Sequence, residues 1–246
     1  MGQVRVQFIG SGDAFASGGR FQACLRVEGG PEPLLIDCGA TTLVALKRAG
    51  IDPASIGWVA LSHLHGDHFA GIPWLILDGQ FGGRAMPLEI AGPPGTQERV
   101  ERTFEALYPG ATAAARRFDT RYTELVAGVP CEFGPAVITP FEVRHESGSN
   151  SYALRVQYGG KVVAYSGDTE WTDRLIDAAS GADLFVCECN FFDKQVAGHL
   201  DYRTLDSKHA QLGCERIVLT HMSDDMLVHV DEVQLETATD GAVIAL

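Results

Sequence analysis

The sequence contains no CxxC pair, no internal repeat, no low-complexity stretch and no apolar run of membrane-spanning length. Each absence closes a class. Six cysteines are present (Cys24, Cys38, Cys131, Cys187, Cys189 and Cys214), but they are scattered and mostly embedded in apolar stretches. Without paired spacing they indicate neither a zinc ribbon nor a disulfide framework, and buried free thiols are the expectation. No N-terminal segment joins basic residues to an apolar core, so the cytoplasm is the expected location and no membrane partner is expected. Positive charge is scarce too, with 19 Lys and Arg against 32 Asp and Glu and a net charge of −13. Nucleic-acid affinity comes largely from cations neutralising phosphates, so no extended nucleic-acid footprint is expected. A small anionic substrate stays open, because bound metal ions reverse the local sign.

What is present is ordinary globular composition, 46% hydrophobic and 21% charged over 246 residues. That suits one domain spanning residues 1–246, long enough to bury a core without staples. Val4, Val6 and Phe8 alternate with polar residues and read as a strand entering the turn at Gly10-Ser11-Gly12-Asp13. Leu34-Leu35-Ile36 and Trp58-Val59-Ala60-Leu61 read as buried strands. Thr41 or Thr42 can cap the helix between them, and Gly50 can end it. Val100, Phe104 and Leu107 mark an amphipathic helix over 96–108. Further strands are expected at 136–143, 152–158, 162–165, 184–188 and 217–220, and helices at 172–179 and 201–212. Several strands are too apolar to have a wet face, which points to an α/β fold with sheets covered by helices. An αββα sandwich satisfies that pattern, although periodicity alone does not separate it from other α/β layouts.

The chemistry concentrates in Ser62-His63-Leu64-His65-Gly66-Asp67-His68, directly after a buried strand. In an extended segment His63 and His65 share a face, because side chains two apart point the same way. Asp67 and His68 follow where the chain should turn into a helix over 69–77. Two imidazoles can thus face one metal while a carboxylate and a third imidazole face a neighbour, a donor set that suits Zn²⁺, Mn²⁺ or Fe. At ordinary histidine frequency the full pattern arises by chance in about one chain in several thousand. Partners are expected at strand ends: His145, Asp168 in Ser166-Gly167-Asp168-Thr169, and His221.

The HxHxDH cluster, a later lone His, Ser-Gly-Asp-Thr and a final Leu-Thr-His together resemble the metallo-β-lactamase superfamily. The nearest likeness is to its ribonuclease Z branch. Phe8-Ile9-Gly10-Ser11-Gly12, Leu35-Ile36-Asp37-Cys38-Gly39, Gly71-Ile72-Pro73 and Asp240-Gly241 also match that branch, so the resemblance spans nearly the whole chain. It implies an αββα sandwich with the site at one end. It implies two divalent metal ions, zinc first with manganese or iron as alternatives. One would be held by His63, His65 and His145, the other by Asp67, His68 and His221, with Asp168 bridging. A hydroxide shared by the ions would attack the substrate, with Asp67 orienting it. Gly198-His199 and the upstream Glu188 match a pair that contacts the scissile phosphate in the branch. A cationic imidazole there stabilises charge or protonates the leaving group, and a carboxylate raises its pKa.

Two departures narrow the expectation. Where the branch continues Gly-His-Ser-Thr, this chain has Leu200 and Asp201, which adds a negative charge beside the expected phosphate site. The span from His145 to Asp168 has room for two strands and a turn, so the long arm of transfer-RNA-processing members is missing from its usual place. The expected function is therefore a dinuclear phosphodiesterase acting on a small or single-stranded phosphodiester. Hydrolysis of a lactone, thioester or other carboxylic bond is the alternative, and non-catalytic binding of a metal or metabolite is a second. Relatives are often dimers, which makes a homodimer the assembly to look for. His209 and His229 read as packed or surface histidines, and Trp74, Phe81, Phe191 and Phe192 as core, with the last two close enough to His199 to line its mouth.

Overall fold

The computed structural model describes residues 2–246. It contains two seven-stranded sheets. The first is built from β1 (Arg5–Gly10), β2 (Cys24–Glu28), β3 (Leu34–Ile36), β4 (Trp58–Ala60), β5 (Leu88–Gly92), β6 (Thr120–Glu124) and β14 (Val243–Ala245). Its spatial order is β14-β1-β2-β3-β4-β5-β6. The second is built from β7 (Cys131–Phe133), β8 (Ala136–Glu142), β9 (Tyr152–Tyr158), β10 (Lys161–Tyr165), β11 (Leu184–Glu188), β12 (Ile217–Thr220) and β13 (Glu236–Thr237). Here the order runs in reverse, from β13 to β7. The C-terminal strand β14 returns to the first sheet and pairs antiparallel with β1, Val6 opposite Ile244.

Alternation along the strands assigns each face. Val6, Phe8, Leu34, Ile36 and Ala60 point inward and meet Leu154, Val156, Val163 and Val186 in a core between the sheets. The opposite faces carry Leu35, Val59 and Ile90 outward under α1 (Thr42–Arg48), α3 (Gly71–Gly82) and α4 (Thr96–Leu107). On the far side Phe185, Cys187 and Leu219 lie under α5 (Arg174–Ala179) and α6 (Tyr202–Lys208). Where helices cover the outer face the strands are apolar on both sides, as in β3, β4 and β11, whereas β1, β2 and β9 alternate with polar residues. The layering is the expected αββα sandwich.

Four expectations need correction. Thr41 precedes α1 but does not cap it with its side chain; its hydroxyl accepts from Gln22 N–H at 2.8 Å instead. Phe81 is no core residue: it is 81% exposed at the end of α3. The helix expected over 69–77 is broken in two. A short α2 (Gly66–Phe69) holds Asp67 and His68, and α3 begins at Gly71. Leu107, offered as part of the apolar stripe of α4, is 45% exposed, while Val100 and Phe104 are buried. The cysteines are free, four of them buried. Among the described residues no helix is long and apolar enough to cross a membrane.

In each sheet the strands from the centre to one edge run parallel, β3 to β6 and β10 to β13. Their C-terminal ends therefore lie together at one rim, where open α/β sheets place their functional loops.

Candidate metal centre

Six of the chain's eight histidines converge on that rim. After β4 the chain stays extended, with His65 at φ −81° and ψ 152°, so His63 and His65 project together. The backbone then winds into α2, which carries Asp67 and His68. The second sheet answers one strand at a time. His145 follows β8, Asp168 follows β10, Glu188 ends β11 and His221 follows β12.

Two donor sets result. Donor atoms of His63, His65 and His145 lie within 4.8 Å of one another, as do those of Asp67, His68, Asp168 and His221. In the first set His145 Nε2 is 2.9 Å from His65 Nδ1. In the second, His68 Nε2 lies 3.3 Å from His221 Nε2 and 3.2 Å from Asp67 Oδ2. His221 Nε2 is 3.1 Å from that same oxygen. Asp168 reaches both sets, its Oδ2 being 3.8 Å from His63 Nε2, 3.9 Å from His145 Nε2 and 3.5 Å from His221 Nε2.

The residues fit cations. Ligands about 2.0–2.1 Å from a tetrahedral zinc sit about 3.3 Å apart, close to the spacings within each set. His63 Nε2 and Asp168 Oδ1 are buried with no aligned hydrogen-bond partner. Orphaned buried polar atoms are costly, and two on one small centre point to a missing partner of positive charge. Every sequence-identified ligand position is brought together.

Around the donors a further layer fixes ring orientation, as metal-binding imidazoles require. Asp37, at the end of β3 with φ 60°, is its hub. Asp37 Oδ1 accepts from Ser62 N–H at 2.7 Å, and Oδ2 accepts from the Ser62 hydroxyl at 2.8 Å and from His68 Nδ1–H at 2.7 Å. The Ser62 oxygen lies 3.1 Å from His63 Nδ1 and can accept a hydrogen bond from Nδ1–H, leaving Nε2 free to bind. His145 donates from Nδ1 to the Gly198 carbonyl at 2.8 Å. Only glycine suits position 198, where φ is 81° and a Cβ would stand 3.0 Å from that ring nitrogen. Asn190 donates to the His221 carbonyl at 3.0 Å.

Charge follows from burial and neighbours. Burial pushes the His63 imidazole well below its ordinary pKa. Burial acts the same way on His68, but the charges of Asp168, Asp67 and Asp37 outweigh it and the net direction is well up. His221 likewise ends at about 9, burial being overcome by Asp168 and the Asp67 bond. Asp67 and Asp168 are pushed up by burial, yet the imidazoles outweigh this and hold both carboxyls below their usual range. Two buried carboxylates thus make the rim a place for positive charge.

His199 and Glu188 pair as expected, His199 Nδ1 at 3.0 Å from Glu188 Oε2. The other Glu188 oxygen accepts from Thr169 N–H. Burial, then the Asp168 charge, raises the Glu188 carboxyl to about 7. Burial lowers the His199 imidazole, but the Glu188 bond and charge outweigh it and the net direction is up. The pair therefore retains a proton near neutral pH. Asp201 lines the same cavity as His199, and its carboxylate also caps α6, accepting from Thr204 N–H at 2.8 Å and the Thr204 hydroxyl at 2.7 Å.

Asp37, Ser62 and Asn190 were not singled out from sequence as functional. The signal for Asp37 was a carboxylate at the end of an all-apolar strand, and for Ser62 its place beside the cluster. Asn190 carried none. His209 donates to the Asp206 carbonyl at 2.7 Å, and His229 stacks on Phe192 at 4.2 Å, so neither joins the centre. Phe191 stands 6.4 Å from the His199 ring, while Phe192 is buried beneath His229.

Comparison with known proteins agrees with this geometry. Residues 4–239 match the family described as Anti-Pycsar protein Apyc1. The chain is 27% identical to a ribonuclease Z of Methanosarcina acetivorans, over 89% of this chain and 88% of that protein. It is 33% identical to an uncharacterized protein of Mycobacterium leprae, over 77% of this chain and 67% of that protein. Among solved structures, the metallo-β-lactamase fold protein YhfI of Bacillus subtilis superposes with a TM-score of 0.77 at 26% identity, covering 98% of this chain and 99% of that one. The short form of human tRNase Z shares the fold, with a TM-score of 0.79 at 24% identity and 98% of each chain covered. The chain belongs to the Anti-Pycsar protein Apyc1 family, within the ribonuclease Z-like branch of the metallo-β-lactamase superfamily.

Proposed function

We propose that this chain is a metal-dependent phosphodiesterase that uses two divalent cations on a small or single-stranded phosphodiester. The observation that carries the reading is the Glu188–His199 pair, whose imidazole Nδ1 lies 4.0 Å from Asp168 Oδ2, beside seven converging donor residues. Such a pair can stabilise charge on a phosphoryl oxygen or protonate the leaving group of a phosphodiester. The 27% identity to a ribonuclease Z supports the same class.

His63, His65 and His145 would hold one cation, Asp67, His68 and His221 the other, and Asp168 both. Zinc suits these donors best, with manganese or iron as alternatives. Bound there, the cations would supply Lewis acidity toward water and phosphoryl oxygens. The chain's own groups do the rest. Asp67, whose Oδ2 already accepts from the ring nitrogens beside it, orients the attacking water and takes its proton. His199, kept protonated by Glu188, faces the phosphoryl oxygen or the leaving group. Its ring lines a cavity of about 340 Å³ with Glu170, Trp171 and Val196. A second cavity of about 500 Å³ lies beyond His145 and Gly198. Spaces of this size suit a small ligand.

The test is a side-by-side assay of a chromogenic phosphodiester against a panel of lactones and thioesters. Phosphodiester turnover should dominate, and His199→Ala should cut it by about a hundredfold while leaving metal content unchanged. Dominant lactone or thioester turnover, insensitive to that substitution, would favour the carboxylic alternative. Fewer than one cation per chain and no hydrolysis after reconstitution would favour a binding protein.

A further inference from the structure

His221 is the one candidate ligand held in a left-handed backbone conformation, with φ 57°. Residues with a side chain avoid that region unless their surroundings hold them there. The turn lets the ring leave the end of β12 and reach Asp67 at 3.1 Å and Asp168 at 3.5 Å. Relaxation to an ordinary φ would swing the imidazole out of the second donor set.

Two contacts hold this backbone. Asn190 takes the carbonyl side, donating to His221 O at 3.0 Å. On the other side His221 N–H donates to the Ser11 carbonyl at 3.0 Å, with the Thr220 hydroxyl at 3.3 Å from the same oxygen. Ser11 is fully buried, and it is itself held from the far end of the chain. Asp240 Oδ1 accepts both Ser11 N–H at 2.9 Å and the Ser11 hydroxyl at 2.8 Å. Asp240 Oδ2 accepts Phe21 N–H at 2.8 Å. One carboxylate thus clamps both ends of the loop over 11–21, with Arg20 adding a bond to the Ala238 carbonyl at 2.6 Å. The line from Asp240 through Ser11 to His221 is unbroken.

We propose that Asp240, acting through Ser11, is a positioning residue for His221 and sets the affinity of the cation that His221 helps to hold. The inference rests on the two-cation reading of the centre. An amide at position 240 retains one acceptor oxygen and turns an NH₂ toward a main-chain donor, so at least one end of the clamp is lost while size is preserved.

The test is a Zn²⁺ titration, against a competing chelator, of the full-length protein after its own metal has been stripped. The unaltered chain should bind two ions. Asp240→Asn should weaken one of them at least tenfold and leave the other within twofold, with a changed Co²⁺ absorption spectrum at the weakened position. Ser11→Ala, which removes the hydroxyl's bonds to Asp240 and Arg20 and keeps the main-chain ones, should do the same to a smaller degree and serves where Asp240→Asn does not fold. A purely structural clamp would lower the melting temperature without separating the two affinities, and that result would overturn the proposal. Two ions bound by both variants as tightly as by the unaltered chain would overturn it equally. An unaltered chain that binds a single ion would instead sink the two-cation reading, and this inference with it.

Discussion

The two sheets contribute to the centre in opposite ways. The first sheet delivers His63, His65, Asp67 and His68 from one loop of six residues, and a single hub, Asp37, ties Ser62 and His68 together. The second sheet sends His145, Asp168, Glu188 and His221 from four separate strand ends. His68 is held by Asp37, His145 by the Gly198 carbonyl and His221 by Asn190 and Ser11. Concentrated ligands share one point of failure. Dispersed ligands fail one at a time.

That contrast can be broken experimentally. The largest effect should come from Asp37→Ala. It removes a buried carboxylate from a 2.7 Å contact with His68 and leaves Ser62 N–H without its acceptor. Loss of about 3–5 kcal/mol of stability is expected, together with depletion of both cations, as read by denaturant unfolding and metal analysis. Retention of one full equivalent of metal would show that the hub does not serve both positions. Asn190→Ala, on the dispersed side, should weaken one cation by about 10- to 100-fold and spare the other. Equal weakening of both in the same chelator competition would erase the contrast. The smallest effect belongs to Asp201→Ala, which should cost about 1 kcal/mol as a lost helix cap and leave turnover unchanged. A marked gain in phosphodiester turnover would mean that the Asp201 charge does reach the substrate.

The same contrast explains what could be read in the sequence. The loop over 62–68 was legible because its ligands are neighbours in the chain, and strand geometry fixes which way they point. His145, Asp168 and His221 were legible because each follows a dense apolar strand. The edge strands β6 and β7 went unread, because Thr120–Glu124 carries no buried residue and Cys131–Phe133 carries one. Asp201 was legible as a neighbour of His199, two residues on and lining the same cavity, whereas its cap on α6 was not singled out. Asn190 was silent since its role depends on a left-handed turn 31 residues downstream. Supports that act across the fold leave no local pattern.

The layer between the sheets is apolar and carries no covalent tie, the cysteines being free. A cation held by Asp67 and His68 from one sheet and by Asp168 and His221 from the other would therefore pin the two sheets together at their rim. A ligand bound only by the folded form adds about 4 kcal/mol at a thousandfold excess over its dissociation constant. Cation supply would then govern how long the molecule lasts as well as how fast it works. A starved copy would part along the seam and become food for proteases, whereas a loaded one would stay shut.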